Sequence, residues 1–306
     1  MRRRERLSSI VLGAAMLAVG APALAESWFG DQGKLLLTAG FSSIEGAGGG
    51  GITPWALITG YGSSDSWGAN TYITGIGLRD FNFGSAGVGV GIRDRIELSF
   101  ARQTLDATKG ALDGISVSQD VIGAKLRLFG DAVYAQDSWV PQVAIGIQAK
   151  HNRGIDDGAR IGAPDLVSVV QLGASDEDDI DYYASVTKIS LARGWLVNAT
   201  LRYTRANQFG LLGFGGDLND DAKLEVEGTV AYLLRRKVAI GVEYRSRPNN
   251  LSGDDERAAW DAFVAWTPNR HVSIVAAYAN VGSIAAPLTA QTADQDGAYL
   301  SAQVGF

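Results

Sequence analysis

Ala298-Tyr299-Leu300-Ser301-Ala302-Gln303-Val304-Gly305-Phe306 closes the chain, and it alternates. Ala298, Leu300, Ala302, Val304 and Phe306 fall on one face, Tyr299, Ser301, Gln303 and Gly305 on the other. A two-residue repeat marks a strand with one apolar side, so the chain is expected to end inside a strand. The same repeat recurs upstream. Trp195, Val197, Ala199, Leu201 and Tyr203 oppose Leu196, Asn198, Thr200, Arg202 and Thr204. Leu224, Val226, Gly228, Val230, Tyr232 and Leu234 oppose a face that opens with Lys223, Glu225, Glu227 and Thr229. Val238, Ile240, Val242 and Tyr244 oppose Ala239, Gly241, Glu243 and Arg245, while Trp260, Ala262, Val264 and Trp266 oppose Asp261, Phe263 and Ala265. Charges recur on one face only, so each strand separates two unlike surroundings.

Counting such segments predicts strands over 34–44, 54–62, 67–79, 82–92, 94–103, 118–129, 139–150, 181–192, 194–205, 222–234, 237–247, 257–267, 270–281 and 296–306. That is about fourteen, with twelve to sixteen as the range of alternatives. Pro22, Pro54, Pro141, Pro164, Pro248, Pro268 and Pro287 all sit at edges, as an all-β chain requires, because proline cannot donate to a ladder. Nothing reads as a linker, so residues 26–306 form one domain.

Strand length decides between a soluble sandwich and a membrane wall. The repeat runs about 9–11 residues, enough to cross a bilayer at barrel tilt, whereas sandwich strands are nearer 5–6. Trp195 and Tyr203, and Trp260 and Trp266, mark the ends of apolar stripes, where interface girdles lie. Connections alternate between tight and long, as they do when both termini share one side. The expected fold is therefore all-β, a transmembrane antiparallel up-and-down β-barrel. Its final strand resembles the closing strand of bacterial outer-membrane barrels. That resemblance implies that Leu300, Ala302, Val304 and Phe306 form the signal read by the barrel-assembly machinery, with outer-membrane lipid and lipopolysaccharide around the wall. One residue disturbs the pattern: Lys188 shares the lipid-facing side with Tyr182, Ala184 and Val186, and needs either snorkelling or a bulge.

The first 25 residues read as a cleaved secretory signal. Arg2, Arg3, Arg4 and Arg6 precede an apolar run over 10–19 and the small-residue site Ala23-Leu24-Ala25. Removing its four Arg and one Glu from totals of 27 basic and 33 acidic residues leaves 23 against 32, a net charge near −9. Such a balance argues against nucleic acid, which needs clustered cations. With no cysteine and only His151 and His271, thiolate metal sites are excluded, and no metal or other cofactor is implied.

A family resemblance covers essentially the whole mature chain. Gly33-Lys34-Leu35-Leu36-Leu37-Thr38, Gly50-Gly51-Ile52-Thr53-Pro54-Trp55-Ala56-Leu57, Arg95-Ile96-Glu97-Leu98-Ser99-Phe100-Ala101-Arg102-Gln103 and Asn207-Gln208-Phe209-Gly210-Leu211-Leu212-Gly213-Phe214-Gly215-Gly216-Asp217 resemble those of an uncharacterised bacterial outer-membrane β-barrel family catalogued as a domain of unknown function. The resemblance implies an outer-membrane protein and brings no activity or ligand with it.

The inward face suggests a passive or gated channel for small solutes. Arg95, Lys125, Arg127, Lys150 and Arg202 are expected to form a basic lumen wall, and Glu225, Glu227, Glu243 and Asp261 an acidic wall opposite. The two would set a transverse field across a pore. Alternatively the charges pair locally, Glu97 with Lys125 and Arg245 with Glu243 or Asp261, to satisfy a wet interior. Gly75, Gly77, Gly87, Gly89 and Gly91 are expected on the inner face as a wall without side chains. Against it the apolar run Phe209, Leu211, Leu212 and Phe214 can pack as a plug, which suggests a plugged transporter of small hydrophobic compounds; otherwise the glycines relieve crowding and the run touches lipid. Acidic clusters at 176–181, 217–221 and 254–256 read as solvated loops before they read as cation sites, since none has the spacing of a calcium loop. The glycine run at 48–51 lacks the Lys-Ser/Thr of a phosphate loop and reads as a flexible loop. Only His151 lies near the expected outer rim, with no visible nucleophile beside it, so the chain is expected not to be an enzyme. A structural or adhesive role without transport is the third class.

Overall fold

The computed structural model describes residues 34, 36–38, 41–109, 112–156, 168–286 and 294–306. The expected signal sequence lies outside these residues. Twelve strands form the wall: β1 (Trp67–Gly77), β2 (Phe81–Ile92), β3 (Ile96–Ala107), β4 (Ser116–Phe129), β5 (Gln142–Asp156), β6 (Asp178–Ser190), β7 (Trp195–Thr204), β8 (Lys223–Arg235), β9 (Val238–Arg245), β10 (Ala259–Trp266), β11 (Val272–Asn280) and β12 (Asp296–Gly305). Each pairs antiparallel with its sequence neighbours. The seam closes where β12 meets β1, from Asn70 opposite Gly305 to Gly77 opposite Ala298, so the ring has no free edge.

The pleat sorts side chains as the period-two reading requires. Along β7, Trp195, Val197, Ala199, Leu201 and Tyr203 are exposed on the outer face, and Leu196, Asn198, Thr200, Arg202 and Thr204 are buried inside. Lys188 is half-buried on the outer side of β6. Its ammonium reaches the carbonyls of Ser138 (2.5 Å) and Ala135 (3.5 Å), and β6 keeps register with both neighbours. Snorkelling, not a bulge, accommodates it.

The strand count is corrected from about fourteen to twelve. The spans expected at 34–44 and 54–62 are not wall strands; their described residues make only isolated bridges, Ser42 with Gly48 and Gly49 with Pro54. Every residue from 41 to 62 except Gly51 is buried. A wall strand leaves one face outside the ring, and this segment has none to offer. It runs inside the barrel.

Connections fall into two sets. At one end they span 93–95, 130–141, 191–194, 236–237 and 267–271; at the other, 78–80, 108–115, 157–177, 205–222, 246–258 and 281–295. These are the turn end and the loop end.

Candidate functional site: the filled lumen

The inserted segment enters and leaves by the turn end. At its start the Lys34 ammonium bonds the carbonyls of Ile58 (2.8 Å) and Gly60 (3.2 Å) and pairs with Asp94 of the β2–β3 turn at 2.6 Å. At its exit the Tyr61 N–H donates to the carbonyl of Phe306 at 2.8 Å. Between these points the chain reverses through the glycine run 48–51. A Cβ on Gly49 would lie 2.3 Å from the Thr53 carbonyl oxygen, and one on Gly50 1.8 Å from Glu243 Oε1. The run is thus a steric requirement of close packing.

A segment outside the sheet still needs partners for its backbone, and the wall's side chains supply them. Glu97 accepts the N–H groups of Gly48 and Thr59, each at 2.8 Å, and Glu243 accepts that of Ile52 at 2.9 Å. Lys125 donates to the carbonyls of Gly48 and Leu57, Gln103 to that of Ile44, and Gln142 to that of Ala56. Thr200 and Asn198 both donate to the Pro54 carbonyl.

Glu45 is the centre of the interior charge. Its carboxylate lies 2.5 Å from Lys150, 2.6 Å from Arg245 and 3.3 Å from Arg202. Burial alone would push its carboxyl up, but Arg245, Lys150 and Arg202 reverse that and hold it well below the usual carboxylate range. Around it Asp181 pairs with Lys150 and Arg202, Glu227 with Arg202 and Arg245, and Glu97 with Lys125. Lys125, Lys150, Arg202 and Arg245 are thereby matched by Glu45, Glu97, Asp181 and Glu227. Glu243 and Asp261, opposite each other on β9 and β10, stand outside this balance. Glu243 takes hydroxyl donors from Thr53 (2.6 Å) and Thr229 (2.7 Å), and Asp261 Oδ1 finds no donor.

The expected transverse field is corrected by these contacts. Arg202 and Glu227, assigned to opposite walls, sit on neighbouring strands 2.5 Å apart. Arg95 is exposed, because it falls in the turn before β3 and not on its inner face. Arg127 is half-buried at the turn end beside Asp94, and Glu225 is half-buried and accepts from Ser246. Of the expected local pairs, Glu97–Lys125 is present at 3.1 Å, while Arg245 turns to Glu45 and Glu227 instead of Glu243 or Asp261.

The apolar run of the β7–β8 loop lies across the lumen at the loop end, with Phe209, Leu211, Leu212 and Phe214 all buried. The Phe209 carbonyl accepts from Gln119 and Lys150, each at 3.0 Å, and the guanidinium groups of Arg245 and Arg247 stack on its ring at 4.7 and 5.0 Å. Gln208 and Phe209 adopt positive φ, and the Gln208 N–H is taken by Glu256 at 2.8 Å. Two details of the glycine-wall reading are corrected. Gly75 and Gly77 face outward, being out of phase with buried Thr74 and Ile76. Gly87, Gly89 and Gly91 do face inward, but the last two meet Thr59 of the N-terminal segment and not the 209–214 run.

At the turn end the inner wall becomes apolar. Leu196, Leu233, Phe263 and Val275 face Leu37, Phe41 and Trp55 across a cavity of about 30 Å³, room for about one water and not for a solute. The acidic loop clusters are mostly paired: Asp176, Asp179 and Asp220 surround Arg205, and Asp178 contacts His151 at 2.6 Å. Glu45, Asp94 and Asp181 escaped the sequence reading as site residues. Glu45 had one visible signal, a lone charge in a tract of small residues.

Residues 38–303 match the model of a family described as Protein of unknown function (DUF3034). No curated protein matches the chain by sequence. Among solved structures, the NanC porin is similar at a TM-score of 0.50 and 9% identity, covering 77% of this chain and 98% of that one. Omp33 of Acinetobacter baumannii gives 0.44 and 7%, covering 80% and 100%. Outer membrane phospholipase A from Escherichia coli gives 0.41 and 10%, covering 77% and 92%. At such identities the likeness concerns the fold alone. The expectation of a non-enzyme does not stand, since outer membrane phospholipase A is among the similar structures, and this likeness of fold by itself assigns no catalysis to the chain.

Proposed function

The chain belongs to the DUF3034 family, whose description names no activity, and from its geometry we propose a gated outer-membrane conduit for small polar solutes, held closed by residues 41–62 and, at the loop end, by the 209–214 run. The outer face supports the location: Leu98, Ile122, Val197, Leu201, Val226, Val242 and Leu300 are exposed around the ring, a band that lipid would cover. Long connections at one end and mostly tight ones at the other favour the loop end outside and the turn end in the periplasm. The lipopolysaccharide around the wall and the assembly machinery acting on the last strand belong to the same reading.

One observation carries the gating. The inserted segment joins the wall mainly through side-chain bonds and ion pairs, without sharing the sheet's ladder, so it can leave while the ring stays whole. Behind it the wall is polar, with Gln103, Gln148, Thr187, Thr200, Arg202 and Gln303 turned inward. The cargo class follows from that lining.

Planar-bilayer recording of refolded protein tests the reading. Full-length protein should be closed apart from brief openings, and deletion of residues 34–61 together with replacement of the 209–214 run by a short Gly-Ser linker should give a steady conductance. Should the deletion disturb folding, Glu45→Ala in the full chain should raise the open fraction. A folded deletion variant that passes no current would leave a filled scaffold and overturn the conduit.

A further inference from the structure

The two ends of the barrel treat their cations differently. At the loop end the outward arginines among the described residues have acids: exposed Arg102 and Arg153 meet Asp120, half-buried Arg205 meets three aspartates, and exposed Arg257 and Arg79 meet Asp255 with Asp294 and Asp296 respectively. At the turn end Arg93, Arg95, Arg193, Arg235, Arg236 and Lys237 are all exposed. Among the described residues none of these six forms an ion pair; Arg95 and Lys237 only cap the carbonyls of Leu128 and Pro268. The exposed acids there are Asp65 and Asp137, too few to balance them.

The depth of these cations is set by aromatic neighbours. Trp67 pairs with Ile92, one residue before Arg93; Trp195 lies two residues after Arg193 and packs on Tyr232 at 5.0 Å; Trp266 pairs with Val238, next to Lys237. Trp67, Trp195 and Trp266 are each about half exposed on the outer face. Indole rings settle at the boundary between hydrocarbon and headgroups, which puts the adjoining guanidinium groups at the level of lipid phosphates. Guanidinium binds a phosphate by paired hydrogen bonds.

We propose that the turn end carries a belt that binds anionic phospholipid headgroups of the phosphatidylglycerol type, in the leaflet facing the periplasm. The belt rests on the outer-membrane reading above. It uses charge left unmatched by the protein at the one depth where the membrane supplies phosphate, and it leaves the lumen untouched.

Full-length protein is inserted into vesicles of phosphatidylcholine containing about 30% phosphatidylglycerol, extracted gently, and its retained lipid counted by native mass spectrometry. Phosphatidylglycerol should be enriched roughly tenfold over its share of the bilayer, and the enrichment should shrink at high salt. The triple variant Arg235→Gln, Arg236→Gln, Lys237→Gln should insert and lose most of the enrichment, while Arg257→Gln at the loop end should keep it. If the triple variant does not insert, Arg193→Gln alone should lower the enrichment severalfold. Retention of both lipids in bilayer proportion by inserted wild-type protein would overturn the belt, as would a preference for added lipid A phosphates over phosphatidylglycerol. Failure to insert into any vesicle would instead remove the outer-membrane reading, and the belt with it.

Discussion

Glu45 and Lys34 are the only charged side chains in residues 34–62, and each meets the wall's opposite charge. Burying a carboxylate is tolerable only when cations and hydrogen bonds replace its water, and three cations converge on Glu45. Glu45→Gln leaves Lys150, Arg202 and Arg245 short of one anion. It should destabilise the closed form by about 3–5 kcal/mol, read as a lower urea midpoint and faster proteolysis within 41–62. Because its carboxyl is held below the usual range in the closed form, the stabilisation is complete above the pKa of the released state, about 4.5, and is lost as pH falls through the lower closed-state value. Proteolysis of the segment should therefore be unchanged from about pH 7 to 5 and rise only in stronger acid. A fast-release phase already present at pH 6 would contradict this assignment.

At the level of elements, the twelve wall strands were legible because an apolar outer face and a mostly polar inner face impose a period of two. Every expected span from 67 onward has its counterpart, from β1 to β12. The two that failed, 34–44 and 54–62, are apolar enough to imitate strands. Trp55, Leu57 and Ile58 are buried on every side, however, and a pattern argument has no way to see that all faces of a segment meet protein. The pairing of Glu45 with residues on β5, β7 and β9 was equally hidden, since it joins positions 105 to 200 residues apart. Glycine roles separate the two kinds of element. Gly49→Ala would drive a methyl against the Thr53 carbonyl oxygen and should cost about 1–3 kcal/mol, with leakier bilayer traces. Gly75→Ala meets nothing within 4 Å and should leave stability and conductance as they are. Equal effects of the two changes would refute the inward and outward assignment of these positions.

For the whole molecule, closure depends on one residue that serves two structures. The Phe306 carbonyl accepts the N–H of Tyr61, where the inserted segment leaves, and that of Ala69 in β1, while its own N–H returns to the Ala69 carbonyl. Its ring packs on His271 at 5.2 Å. Deleting Phe306 should thus loosen the seam and the lumen filling together, and a cell-free assembly assay should find slower conversion to the compact, heat-modifiable band along with protease cleavage inside 41–62. Damage to only one of the two would separate them. The chain begins its wall beside the point where it finishes, with the threaded hairpin clasped in between. A ring zipped up around an empty centre keeps its Ala69 pair and loses only the Tyr61 hand on its last residue, so the hairpin reinforces the finished cylinder without being needed to complete it.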